Sequence, residues 1–218
     1  MDVTMTKRQK QVAAAAAPVF LLQGFTRTTM GDIAVAAGLS RQGLYMAFPN
    51  KEAVFTATVR VLTDQMHATV EEGLRHRHAL QPRLAFVCEL WLAGVFDLQR
   101  STPDARDMDD LAFPVVSEVY ERFVALVARL IADACGDSIA PLRITDLARA
   151  LVFGIRGYSA TASDGPDIRR LTALQIELVV ACVETAIAAG HSTGLSVSRV
   201  NDCQAEKKFN RIMPEVGE

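Results

Sequence analysis

Residues 32–48, DIAVAAGLSRQGLYMAF, carry a helical apolar rhythm that stops at Gly38 and restarts three residues later. Upstream, a first helix is predicted over about 7–23, with Gly24 placed to cap its C-terminus in the left-handed conformation. Pro18 falls inside it, where the missing N–H should kink the helix. The second helix starts at Thr29, whose hydroxyl can cap the backbone while Asp32 returns the bond, and it ends at Gly38. Ser40 caps a third helix over 41–47. Pro49 blocks its continuation, and Asn50 caps a long fourth helix running to about residue 75.

The remaining pattern is of longer, more apolar helices. One spans 80–99, a shorter piece lies near 105–112, and Pro114 begins a helix that extends to Cys135. Within it Val119, Tyr120, Phe123, Val124, Val127, Leu130 and Ile131 follow a 3.6-residue period. Two more helices are predicted at 141–162 and 167–189, split by S-D-G-P. From Gly190 the periodicity is lost, which predicts a mobile tail over 190–218. Ala and Leu dominate, and β-branched residues never alternate with polar ones over a sustained run. The fold class is therefore all-α: a three-helix head over 1–52, a fourth helix at about 51–75 linking it onward, and a helical body over 53–189.

Charge divides along the same line. Residues 1–60 hold seven Lys/Arg and three Asp/Glu, a net of +4, while the other sixteen basic and twenty-two acidic residues give −6. A basic head on an acidic body suits a protein of which only the head meets a polyanion. The four cysteines, Cys88, Cys135, Cys182 and Cys203, lie far apart without zinc-ligand spacing, and neither a metal nor a cofactor is expected. The basic "KRQK" before "VAAAAAPVFLL" has the outline of an export signal, but no A-x-A-like site follows it. No apolar run approaches the ~18 residues of a membrane span. The expectation is a soluble cytoplasmic protein with no membrane partner.

Two short helices joined by A-G-L-S form a helix-turn-helix, in which the first braces across the DNA backbone and the second enters the major groove. Ile33, Ala34 and Ala37 should face helices one and four, with Leu39 and Leu44 closing a small core. Helix three is short because its neighbours support it. Arg41 and Gln42 stand at its N-terminus, where Arg suits guanine O6/N7 and Gln suits adenine N6/N7. Gly43 removes a side chain that would hold the backbone off DNA, and Tyr45 can offer its hydroxyl to a phosphate. Thr29 and Lys51 sit at helix N-termini, where amides and dipole favour a phosphate oxygen.

The stretch 24–55 resembles the tetracycline-repressor-like (TetR) transcriptional regulators. Gly24-Phe25, T-x-x-D-I-A from Thr29, A-G-L-S from Ala37, G-x-Y from Gly43 and F-x-x-K-E-A from Phe48 fall at that family's spacing without a gap. The resemblance covers about 50 residues. It implies a homodimer whose heads grip a roughly palindromic double-stranded operator, with an effector pocket in the C-terminal helices. It also implies that Thr29, Arg41, Gln42, Gly43, Tyr45 and Lys51 contact DNA. Pro18 departs from the pattern, as does Ala47, where the family usually carries a histidine or other large polar residue.

In the body, helices apolar on more than one face near the chain's end need a partner. Leu147, Leu151, Ile155, Leu171, Leu174, Leu178 and Val183 are the candidates for a four-helix dimer seam. A pocket for a largely apolar effector would draw on Trp91, Phe96, Phe113, Tyr120, Phe123, Phe153 and Tyr158, with Met66 and His67 reaching it from helix four. Catalytic signatures such as G-x-S-x-G, H-E-x-x-H or a phosphate loop are missing, so an enzyme is not expected. The reading is a ligand-responsive repressor, with an activator or a protein-binding adaptor as the alternative.

Overall fold

The computed structural model describes the backbone of residues 5–101 and 107–192, with side chains over 5–91, 107–140 and 143–189. Among the described residues eight α-helices follow one another: α1 Lys7–Arg27, α2 Met30–Ala36, α3 Arg41–Tyr45, α4 Lys51–Leu74, α5 Leu80–Ser101, α6 Pro114–Cys135, α7 Pro141–Thr161 and α8 Gly165–Ser192. Short 3-10 turns lie at 107–109 and Gly136–Ser138, and no strand occurs among the described residues. The all-α class holds.

Local chemistry sets the boundaries. Thr29 Oγ1 accepts from the Asp32 amide at 3.2 Å and Asp32 Oδ2 accepts from the Thr29 amide at 2.9 Å, a closed capping box. Ser40 Oγ caps α3 through the Gly43 amide, and Asn50 Oδ1 caps α4 through that of Ala53. Gly38 takes φ 64°, which lets the chain turn sharply between α2 and α3.

The kink expected at Pro18 falls elsewhere. The helix passes through Pro18 and breaks at Gly24, with φ 73° and ψ 174°. Pro18 and Ala14, whose carbonyl loses its partner, are both on the exposed side, where solvent can satisfy the freed oxygen. α3 is shorter than the 41–47 expected, because the Ala47 amide bonds back only three residues to the Leu44 carbonyl, which Phe48 also uses, and closes the last turn. α8 runs to Ser192, into the predicted tail; 193–218 lie outside the described residues.

α1 packs along α4 and against α2, and α2 packs on α3. Beyond them α4 meets α5 and α6, and α5 to α8 pack on one another. The buried side chains form one continuous cluster from Val12 in α1 to Val183 in α8. Head and body join through Phe20, Phe25, Phe55 and Phe113, whose ring centroids lie 4.7–6.4 Å apart. α8 corrects one expectation. Over Gly165–Ala189 it is long and apolar enough to cross a membrane, with mean hydropathy 1.7, although charged residues interrupt its apolar run. Here it packs against α5, α6 and α7, while only 28% of that apolar window is buried.

Gly38→Ala should lower folding stability by about 1 kcal/mol, since a side chain at that φ is strained. Nothing lies within 4 Å of the new Cβ, so Gly38→Asn, which tolerates the conformation better, should lose less. Denaturant midpoints at unchanged m check this.

Candidate nucleic-acid interface

α3 is anchored by one side and open on the other. Leu44 is fully buried and Phe48 nearly so, closing a small core with Ile33 and Ala34 of α2. Arg41 and Gln42 are exposed, as are Tyr45 at 51% and Met46 at 80%. A five-residue helix cannot persist on its own hydrogen bonds, so this anchoring is what holds it.

The structure also shows fastenings that the sequence reading missed. Arg8 of α1 donates from Nη2 to the Gly43 carbonyl at 3.2 Å, and Gln9 donates from Nε2 to that of Ala47 at 3.1 Å. The basic KRQK run, weighed above as an export signal, thus places a guanidinium against the backbone of α3. A side chain at Gly43 would put its Cβ 3.3 Å from Arg8 Nη2 and 3.2 Å from Ser40 Oγ, which gives that glycine a packing reason besides DNA approach. Ala47 is half-buried against the core, and its small size is consistent with Gln9 reaching the carbonyl.

Two predicted phosphate contacts have partners within the chain. Thr29 is exposed, but its hydroxyl donates to Asp32 Oδ2 at 2.7 Å while capping α2. That bond is the chief cause holding the Asp32 carboxyl below its ordinary range. Lys51 is half-buried. Its Nζ donates to the Phe25 carbonyl at 2.7 Å and the Thr26 carbonyl at 3.2 Å, and lies 4.3 Å from the Phe25 ring centroid. Lys51 therefore clasps the α1–α2 turn rather than standing as a solvated cation. Arg41 lies beside Gly31, within 3.7 Å of where a Cβ there would sit, on the same face as Thr29 and Asp32.

The predicted effector residues separate into groups. Trp91 stacks on Phe123 at 4.2 Å and meets Tyr120 edge-on at 5.4 Å, and Tyr120 stacks on Phe153 at 5.7 Å. Tyr158 is half-buried against the same core. Phe113 does not join them, because it is drawn into the Phe25–Phe55 cluster at the head. The Phe96 side chain lies outside the described residues. One polar group borders the aromatic set. Tyr120 Oη donates to Asp109 Oδ1 at 2.7 Å, and Arg156 donates to Asp109 Oδ2 at 3.0 Å and to its carbonyl at 3.1 Å. Burial, then Asp109, pushes the Tyr120 hydroxyl pKa well above its ordinary value. Burial likewise pushes the Cys88 thiol up to about 12, an inert packing residue. No cluster fit to hold a metal occurs among the described residues.

The proposed dimer seam is corrected in part. Leu151, Ile155 and Val183 are buried within the subunit and have no surface to offer a partner. Leu147 and Leu171 are half-buried. Leu174 and Leu178, one turn apart on α8, are 49% and 63% exposed.

An exposed short helix braced by a second one, on a basic head, defines a helix-turn-helix DNA-binding protein. Residues 12–58 match the family described as bacterial regulatory proteins, tetR family. Residues 12–58 therefore form that family's N-terminal domain, and beyond them the chain is similar to transcriptional regulators. It is 29% identical over 112 residues to YfiR of Bacillus subtilis, an uncharacterised HTH-type transcriptional regulator, covering 51% of this chain and 49% of that one. It is 26% identical over 136 residues to the HTH-type transcriptional activator FasR of Mycolicibacterium smegmatis, covering 61% and 57%. The chain thus spans about half the length of the curated relatives it matches. Its fold is similar to a Rhodococcus transcriptional regulator at TM-score 0.63 and 16% identity, over 81% of this chain and 97% of that one. FadR of Bacillus subtilis in complex with stearoyl-CoA is similar at TM-score 0.58 and 18% identity, over 78% and 97%.

Met66 and His67 are half-buried on α4, which runs parallel to α6 with ion pairs Arg60–Glu118, Asp64–Arg122 and Glu71–Arg129 between them. His67 falls between the last two. Burial first and Arg122 second lower its pKa from 6.5, outweighing the opposite pull of Asp64 and Glu71. The folded chain then binds a proton less readily than the unfolded one. Stability from this source is present above pH 6.5 and declines as pH falls through that value toward the lowered one. Thermal melts from pH 7.5 to 5.5 should show His67→Gln flattening this decline.

Proposed function

We propose that this TetR-family protein is a ligand-responsive repressor that binds a palindromic operator as a homodimer. A small, largely apolar effector in the helical body releases it. The observation that carries the reading is α3 itself: its apolar side is sunk in the head while Arg41, Gln42 and Tyr45 face outward. The domain division at about residue 52, with α4 as the link, belongs to the same proposal.

Dimerisation is supported by Leu174 and Leu178. Exposed leucines in register on one helix lose apolar contact with water only if a second surface covers them. Two copies joined there would present two α3 helices for major grooves ~34–36 Å apart. For the effector, the Trp91–Tyr120–Phe123–Phe153 group supplies apolar and aromatic surface with Tyr120 and Arg156 as polar groups beside it. Since FadR holds stearoyl-CoA, a long-chain acyl thioester is the first probe to try. Such a molecule releases the operator only if it binds better to a state whose heads no longer fit DNA. A second reading, activation, is favoured by the similarity to the activator FasR. Reporter output from the regulated promoter after gene deletion separates the two, rising for a repressor and falling for an activator.

On DNA upstream of its own gene, binding should weaken steeply with salt. Arg41→Ala should cost about 1–3 kcal/mol against a preferred guanine and flatten preference at that position. Selection from random duplexes checks it, and an unchanged preference would remove α3 from the groove.

Leu178→Arg should turn the dimer into a folded monomer by sedimentation and abolish tight operator binding. A dimer that survives the change would place the seam elsewhere.

A further inference from the structure

The segment 107–113 is hydrogen-bonded to both the head and the body. On one side, Asp107 Oδ1 accepts from the Phe25 amide at 2.8 Å and Oδ2 from the Thr26 amide at 2.7 Å. These amides open the short turn after Gly24, the entry to α2. Their carbonyls accept from Lys51 Nζ. A carboxylate and an ammonium therefore both engage the backbone of Phe25 and Thr26, and Phe113 packs on the Phe25 ring at 4.7 Å. On the other side, Asp109 binds Arg156 of α7 and Tyr120 of α6.

The two carboxylates are separated by a single residue in a 3-10 turn. At about three residues per turn, side chains two apart leave the axis in different directions, which is why one reaches the head and the other the body. The segment is also internally tied. The Asp110 amide donates to the Asp107 carbonyl at 3.3 Å, that of Ala112 to Asp110 Oδ1 at 2.8 Å, and that of Phe113 to the Asp110 carbonyl at 3.1 Å. Ser117 of α6 donates to the Leu111 carbonyl at 3.0 Å. A segment bound to itself at this density transmits a displacement at one end to the other.

We propose that residues 107–113 form a two-sided latch. Asp107 is a positioning residue for the DNA-reading head, and Asp109 makes its hold depend on Arg156 and Tyr120 in the body. What the latch serves rests on the proposed function above, but its existence does not. The arrangement gives head and body a second connection beside α4, one acting on the α1–α2 turn and through it on the seating of α2 and α3. Whatever draws Arg156 away from Asp109 loosens Asp107 on the head.

The test follows hydrogen exchange at single amides by NMR in the full chain, without DNA or effector. Asp107→Ala should speed exchange at Phe25 and Thr26 by about tenfold or more, the loss of a charge-assisted acceptor. The Ala37 amide, bonded to the Ile33 carbonyl, is the internal reference and should stay unchanged. Arg156→Gln touches nothing in the head, yet should speed Phe25 and Thr26 selectively, by about threefold or more, since Asp109 loses the Arg156 guanidinium. Tyr120→Phe, which removes only the hydroxyl, should act in the same direction and serves alone if Arg156→Gln does not fold. The latch is overturned if the body variants leave the Phe25-to-Ala37 exchange ratio at the parent value, or if Asp107→Ala does. Binding to the upstream duplex is then measured at fixed salt, and the body variants should weaken it along with Asp107→Ala. A parent that shows the exchange pattern but binds no duplex would defeat the proposed function and leave the latch standing.

Discussion

Four phenylalanines decide where the reading helix points. Phe20 and Phe25 from the end of α1, Phe55 from α4 and Phe113 from the start of α6 meet ring to ring, so the head is built onto the body rather than tethered to it. The fully buried Phe20 and Phe55 rings each stabilise by about 1.5–3 kcal/mol, the half-buried Phe25 and Phe113 by less, and each good edge contact adds about 0.5–1.5 kcal/mol. No surface ion pair in the molecule competes with that sum. The break at Gly24, with φ 73°, falls immediately before Phe25 of that knot.

Around the knot, charge does finer work than packing. Lys51 fits the family pattern of a phosphate-seeking lysine, and here it spends its donors on the Phe25 and Thr26 carbonyls. Asp107 receives the amides of the same two residues. Both are engaged with the backbone of the turn that leads into α2. On α3, Arg41, Gln42 and Tyr45 are the exposed members of the predicted DNA-contacting set, and Arg8 braces that helix through the Gly43 carbonyl. Residues that a motif treats alike thus differ in how far the fold already engages them.

The body follows a different rule. Its Trp91–Phe123 and Tyr120–Phe153 stacks are closed on themselves, and the polar group of Asp109, Arg156 and Tyr120 lies at their edge. Under the proposed function, an effector entering there would part aromatic contacts and meet an arginine already engaged by a carboxylate. Its binding would then favour a displaced 107–113 segment.

Local interactions made much of this legible before any coordinates. The capping boxes and caps at Thr29, Ser40 and Asn50, the turn at Gly38 and the burial of Leu44 are settled within a few residues of chain, and spacing alone conveys them. The same holds for the order of the helices and the outward face of α3. What tertiary structure decided lies at long separation. Arg8 comes to Gly43, Asp107 comes to Phe25, Phe113 leaves the effector group for the head, and Leu151, Ile155 and Val183 turn inward while Leu174 and Leu178 stay exposed. A helical period says that a face is apolar but not which neighbour covers it, because that depends on crossing geometry fixed by the whole core. The chain therefore determined its helices and its reading head by itself, and only packing decided which charges and rings would join that head to the body.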